Sequence, residues 1–195
     1  MGGEIRERLR RVDRGLMRRA HDVRTPALDR VLVRLTTAAN YWRLWLAIAG
    51  VLAMFGGRRG RRAAARGVSA LLIGGVFANG PAKLLTRRRR PHAPSRPTLI
   101  AVPRSTSFPS GHSAAAFAFA AGVCAELPEL TPLLAPLALA VGYSRVHTGV
   151  HYPSDVAAGA SIGLVSAALA GRLVARDSRS DAAFAPTAAA PPELR

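Results

Sequence analysis

The sequence predicts an all-α protein, an integral membrane helical bundle of five to six transmembrane helices. Three observations carry that expectation. Apolar residues make up 49 % of the 195 residues and the mean hydropathy is positive at +0.14, so much of the chain avoids water. Long stretches carry no charge at all, although the formal net charge is +17. The uncharged stretches are rich in Ala and Gly, which let helices approach closely in lipid. A charge of this size in a soluble chain would suggest nucleic acid, but the apolar segments leave too little soluble surface for such a binder, and no nucleic-acid partner is expected.

Residues 1–40 are expected to form a basic amphipathic helical segment. Ile5, Leu9, Val12 and Leu16 recur at three- and four-residue spacing among arginines, the pattern of a helix lying on anionic headgroups or of an ordinary solvated helix. The segment lacks the apolar core of a signal peptide, so no cleavage is expected. Thr25 and Pro26 restart the chain into ALDRVLVRLTTAAN, which Arg30 and Arg34 interrupt and which lies in the interface or inserts as a sixth helix. Residues 41–176 hold five apolar segments, at about 42–57, 67–85, 113–127, 132–143 and 156–175. A span needs about 20 residues; the second and fifth meet this, the first falls a little short, and the third and fourth qualify by borrowing flanking residues. Tyr41, Trp42 and Trp45 suit an interfacial aromatic belt. The single cysteine, Cys124, sits in an apolar run and is expected to pack there; it permits neither an intrachain disulfide nor a cysteine zinc site. Residues 177–195 are polar and rich in Pro and Ala, the composition of a disordered tail.

Alternating spans put residues 86–110 and the turn 145–155 on one side, and residues 58–66, 126–131 and the C-terminus on the other. Arg58, Arg59, Arg61, Arg62 and Arg66 mark that second side as cytoplasmic. The basic N-terminus argues the opposite if only five helices cross, a conflict that an extra span or a re-entrant stretch within residues 26–40 removes, and the first side is expected to face outward.

Three polar clusters fall on that first side: KLLTRRRRP from Lys83, PSGH at 109–112 and SRVHTGVHYPSD at 144–155. All but one of the 28 basic residues are arginine, which singles out Lys83. Ser110 is a natural N-cap where an apolar helix begins, and Gly111 lets a ligand approach the free N–H groups there, an end that binds anions readily. Lys83, Arg90 and Arg145 supply fixed positive charge and forked donors suited to phosphoryl oxygens. Pro153 belongs in the first turn of the last helix, from which Asp155 can reach back to His151. A carboxylate on one imidazole nitrogen leaves the other as a free lone pair, as a nucleophile requires, and His112 is available as general acid. The plainer alternatives are that RRRR at 87–90 is a charged loop, that His147 is a rim or structural residue, and that His21 and His92 are surface and loop residues.

Together the clusters resemble the signature of the type 2 phosphatidic acid phosphatase and vanadium haloperoxidase superfamily: K-x6-R-P at Lys83, Arg90 and Pro91; P-S-G-H at Pro109 to His112; S-R-x5-H-x3-D at Ser144, Arg145, His151 and Asp155. Every motif position is filled, and the likeness covers about residues 40–175. The resemblance implies that His151 forms a phosphohistidine, that Asp155 orients it, and that His112 protonates the departing alcohol and then activates water. It implies that Lys83, Arg90, Arg145, Ser110 and the Gly111 amide hold the phosphoryl oxygens and that no metal or other cofactor is required. In keeping with this, Asp155 is the one acid expected on the active face.

In a bilayer the implied substrate is a lipid phosphate, such as phosphatidic acid, phosphatidylglycerol phosphate, or a polyprenyl phosphate or diphosphate. Arg87, Arg88, Arg89, Arg96 and Arg104 hint at a larger or doubly charged headgroup. The Arg- and Ala-rich composition fits a bacterial source, and with it a plasma-membrane location. The competing readings are a vanadate-dependent haloperoxidase, whose relatives are larger and soluble, and a non-catalytic membrane lipid-binding protein, which loss of a motif residue would have favoured.

Overall fold

The computed structural model describes residues 2–84, 86–92 and 97–183, with side chains placed to Leu173 except that of Arg6. Among them there are helices and no strands. The helices are α1 (Gly2–Asp22), α2 (Pro26–Ala38), α3 (Arg43–Phe55), α4 (Gly57–Asn79), the single turn α5 (Pro81–Leu84), α6 (Gly111–Cys124), α7 (Thr131–His147) and α8 (Pro153–Ala183). Each of the five apolar segments folds as a helix, so the all-α bundle stands. The tail expected from residue 177 continues α8 as far as Ala183; the rest of it lies outside the described residues.

Two helices are by themselves long and apolar enough to cross a bilayer, Gly57–Leu84 and Pro153–Leu173. The remaining apolar helices α3, α6 and α7 have 13, 14 and 17 residues, and at about 1.5 Å per residue each is shorter than a hydrocarbon core of about 30 Å. Helix α6 is the centre of the bundle. Ten of its residues from Gly111 to Val123 are buried, on every face, because α4, α7 and α8 surround it. Small residues make this possible: a Cβ on Gly163 would run into the backbone of Ala114 and Ala118, and one on Gly67 would overlap Val123 and Phe119. Close approach of this kind is how helices gain packing in lipid.

One expectation changes here. Trp45 is not part of an interfacial belt; it is fully buried, with its ring 5.4 Å from that of Phe119, because α3 packs its indole into the core that α4 and α6 share. The stripe Ile5, Leu9, Val12, Leu16 is exposed at all four positions, as either surface reading of this helix allows. Helix α1 docks instead through Asp13, Met17 and Ala20, spaced four and three residues apart and all buried. The docking face is anchored by a carboxylate whose partners come from distant segments, and the apolar stripe is left turned outward, as in an interfacial helix.

Ion pairs fix which residues share an end of the bundle. Arg66 pairs with Glu126 at 2.8 Å and Arg59 with Glu129 at 3.3 Å, so the start of α4 and the α6–α7 connection lie together. At the other end, α2 reaches α7 through Asp29 on His147 at 2.7 Å and Thr36 on Arg145. Helix α2 therefore covers that end, and the chain turns through 65° before α3 leaves it. Tyr41 and Trp42 take positive φ of 52° and 63° at this bend.

Candidate active site

The site is built at the end where α5, the loop to α6, and the α7–α8 turn meet. Pro153 opens α8, and Asp155 sits in its first turn, where its Oδ2 accepts the backbone N–H of Tyr152 at 2.8 Å. This is one half of a capping box, so local helix chemistry fixes the carboxylate. The Asp155 side chain is fully buried; it also accepts from Ser107 Oγ on Oδ2 and from Arg88 Nη1 on Oδ1 at 2.7 Å.

Gly149, at φ 81°, ends α7 in the left-handed conformation that glycine tolerates. The chain then folds back, and the N–H groups of Val150 and His151 both reach Arg145 O at 3.2 Å. His151, only 3 % exposed, comes to face Asp155 with its Nδ1 3.6 Å from Oδ2. That spacing is ion-pair range, longer than a hydrogen bond. On the other side of the ring, Nε2 lies 3.0 Å from Arg90 Nη1. A guanidinium can only donate, so Nε2 carries the lone pair and the proton sits on Nδ1, toward Asp155. Burial, reinforced by the charges of Arg145 and Arg90 and opposed by Asp155, lowers the His151 pKa to about 4. The ring is neutral at pH 7.

Arg90 is itself held in a ring of oxygens. Its Nε donates to Pro103 O and Ser105 O, Nη1 to Val150 O at 2.9 Å, and Nη2 to Ser105 Oγ and Thr106 O. Lys83 Nζ donates to Thr106 O at 2.8 Å, with Pro109 O at 3.5 Å, so the loop before α6 is tied to both cations of the first motif. Ser110 caps α6 as expected: its Oγ accepts Ser113 N at 3.4 Å and the Ser113 hydroxyl at 2.9 Å. Ser110 N in turn donates to Asp155 O at 3.0 Å, joining the second cluster to the third. His112 follows, with Nε2 2.9 Å from Asn40 Oδ1. A cavity of about 680 Å³ opens beside it, lined in part by Gly111, His112, Arg145, Asn79, Asn40 and Trp42.

All eight site residues named from the sequence therefore fall at this end. Others there were not named. Ser107 and Asn40 hold Asp155 and His112, and Thr36 accepts from Arg145. Arg88, grouped above with the arginines for a larger headgroup, instead bridges Asp155 and Asp13 of α1, at 2.7 and 2.6 Å. Asp155 is thus not the only acid at the site, because α1 delivers a second one from far away in the chain. Arg87, Arg89 and Arg104 are exposed, and Arg96 lies outside the described residues. His147 is fully buried and bonded to Asp29, a structural residue. No group of three or more His, Cys, Asp or Glu side chains able to hold a metal occurs among the described residues.

Comparison with known proteins places the chain among them by family and fold. The profile of the PAP2 superfamily matches residues 64–179. A decaprenylphosphoryl-5-phosphoribose phosphatase of Mycobacterium tuberculosis is 42 % identical over 89 residues, covering 45 % of this chain and 48 % of that protein; the chain spans about half the length of this curated relative. Among solved structures, the transmembrane PAP2 type phosphatidylglycerolphosphate phosphatase from Bacillus subtilis superposes with a TM-score of 0.63 at 26 % identity, over 86 % of each chain. LpxE of Aquifex aeolicus superposes with a TM-score of 0.67 over 81 % of this chain and 93 % of that one; at 23 % identity it speaks for the fold.

Proposed function

From the PAP2 superfamily, to which this chain belongs, we propose that it is an integral membrane phosphatase that hydrolyses a lipid phosphomonoester or diphosphate through a phosphohistidine. One observation carries the reading. Arg90 of the first motif lies 3.0 Å from Nε2 of His151 in the third, so a fixed cation and a neutral imidazole lone pair address the same point beside the capped start of α6.

In this mechanism the phosphoryl group enters between the Arg90 guanidinium and the His151 ring. Nε2 attacks phosphorus and the bond to the lipid oxygen breaks; His112 gives that oxygen its proton. Asp155, facing Nδ1–H, stabilises the positive charge the ring acquires. His112 then takes a proton from water, whose oxygen attacks the phosphohistidine and releases inorganic phosphate together with neutral His151. Lys83, Arg90, Arg145, Ser110 and the Gly111 N–H stabilise the oxygens as charge builds on them. These groups supply the charge and proton transfers that the reaction needs without a cofactor.

The substrate class follows from where the site lies. A lipid phosphate presents its headgroup at this end of the bundle, and the cavity beside His112 has room for the group leaving with the phosphoryl ester oxygen. The names of the relatives favour a polyprenyl-linked sugar phosphate or phosphatidylglycerol phosphate. The domain division follows, with residues 41–176 as the phosphatase proper and 1–40 as the segment that covers its active end. The proposed location is the bacterial plasma membrane, with the site facing outward.

The test is inorganic phosphate release from phosphatidic acid, phosphatidylglycerol phosphate, and polyprenyl mono- and diphosphates by the purified protein in detergent, with EDTA present. Release that survives EDTA and disappears in His151→Ala supports the mechanism, and Asp155→Asn is expected to slow it strongly. Turnover at the normal rate in His151→Ala refutes it.

A further inference from the structure

We propose that Asp13, on the N-terminal helix, is a positioning residue for His151, acting through Arg88 and Asp155. The inference rests on the phosphohistidine reading above. Asp13 is 2 % exposed. Its Oδ1 accepts the backbone N–H of Ser154 at 2.9 Å, and its Oδ2 accepts the Ser154 hydroxyl at 2.7 Å and Arg88 Nη2 at 2.6 Å. The other terminal nitrogen of Arg88 donates to Asp155 Oδ1 at 2.7 Å and to Ser154 Oγ at 2.7 Å. The guanidinium is clamped further by the Tyr152 ring, whose centroid is 4.1 Å from its carbon. Two carboxylates thus share one cation, in the order Asp13, Arg88, Asp155, His151.

This order has an electrostatic consequence. Arg88 paired with Asp155 alone would draw carboxylate charge away from His151, at the moment when that ring must carry a positive charge. A second carboxylate on the far side of the guanidinium offsets this, and Asp155 keeps its hold on the imidazole. The same bonds fix Asp155 in space. Ser107 and Tyr152 N occupy Oδ2, and Arg88, held by Asp13, occupies Oδ1, so the 3.6 Å approach to His151 is set from both sides. A buried carboxylate without its cation is costly, so the docking of α1 and the alignment of His151 depend on one another. The N-terminal helix is then part of the catalytic architecture as well as a surface attachment.

The experiment uses the full chain in detergent. It compares wild type with Asp13→Asn, Asp13→Glu, Arg88→Gln and the double variant that combines Asp13→Asn with Arg88→Gln. Readouts are kcat and KM for phosphate release, the affinity for orthovanadate measured by calorimetry as a turnover-independent probe of His151, and thermal unfolding. Asp13→Asn is expected to lower kcat about tenfold, roughly the effect of one weakened charged contact, with KM within about twofold. Asp13→Glu should recover most of the loss, and in the Arg88→Gln background the Asp13 change should add little, the signature of coupled residues. A wild-type kcat in Asp13→Asn, or a loss that is just as large without Arg88, overturns the proposal. If wild type releases no phosphate but binds vanadate only when His151 is present, the hydrolase reading fails and the vanadate affinities judge Asp13 by the same pattern. Absence of both activities overturns the two readings together.

Discussion

Arg90→Lys is the substitution that separates charge from geometry. If Arg90 served only as a positive charge for phosphate, lysine would keep much of its effect. The guanidinium, however, donates to Pro103 O, Ser105 O, Val150 O, Ser105 Oγ and Thr106 O and abuts His151 Nε2. An ammonium has three donors in a compact head and cannot reproduce the fork. At least two of these oxygens lose their partner, and a hydrogen bond to a charged group is worth about 1.5–3 kcal/mol. Some of the oxygens are open enough for water to replace the donor, so the net loss of stability is expected at about 2–4 kcal/mol. The residues that the arginine ties together include Val150, next to His151, so a displacement of His151, the proposed nucleophile, follows. Misplacement on the order of 1 Å costs about 100-fold in rate. Thermal unfolding in detergent and kcat for phosphate release read the two losses separately. An Arg90→Lys protein that keeps both the wild-type melting temperature and more than a third of kcat refutes the reasoning.

The bundle was legible in the sequence because helix period and uncharged length are local properties. The motif residues were legible because each cluster is fixed inside one short stretch, as with Asp155 and His151 at the start of α8. What could not be read was whatever joins stretches. Ser107 meets Asp155 48 residues away, Asn40 meets His112 72 away, and Asp13 meets Ser154 141 away. No periodicity links such pairs; only the closure of the bundle does. The stripe on α1 shows what amphipathicity alone leaves open. Ile5, Leu9, Val12 and Leu16 mark a surface helix, and the pattern alone does not say which face docks; the face that docks carries a buried carboxylate, Asp13. The available signal was Asp13 with Met17 and Ala20, one acid and two uncharged residues on one face of a helix otherwise dense in arginine.

Gly111→Ala places a Cβ on the Asn79 carboxamide, which is held by its bond to Gly75 O at 2.8 Å; overpacking of this kind is expected to cost about 1–3 kcal/mol, with a fall in kcat because α6 carries His112, and an unchanged melting temperature and rate would count against the packing described. His151 has a folded pKa near 4 against an ordinary 6.5, so the unfolded chain binds more protons between those values and stability rises with pH across that window. The melting temperature of wild type should therefore fall on acidification from pH 7 to 4.5 more steeply than that of His151→Gln, and parallel profiles would exclude a buried neutral His151. Sidedness is decided by labelling: with Cys124 replaced by serine, a cysteine at exposed Arg104 should react with an impermeant maleimide in intact cells, and one at exposed Arg61 only after lysis. That outcome turns on what each arginine group can report. The α1 arginines lie at the site end, on a helix whose exposed apolar stripe suits the headgroups of either leaflet, so their charge records attachment. Arg58, Arg59, Arg61, Arg62 and Arg66 lie in the first turns of α4, at the start of a span, the place where positive charge sets orientation. Labelling of the Arg61 position from outside would show that α1, and not the start of α4, orients the chain.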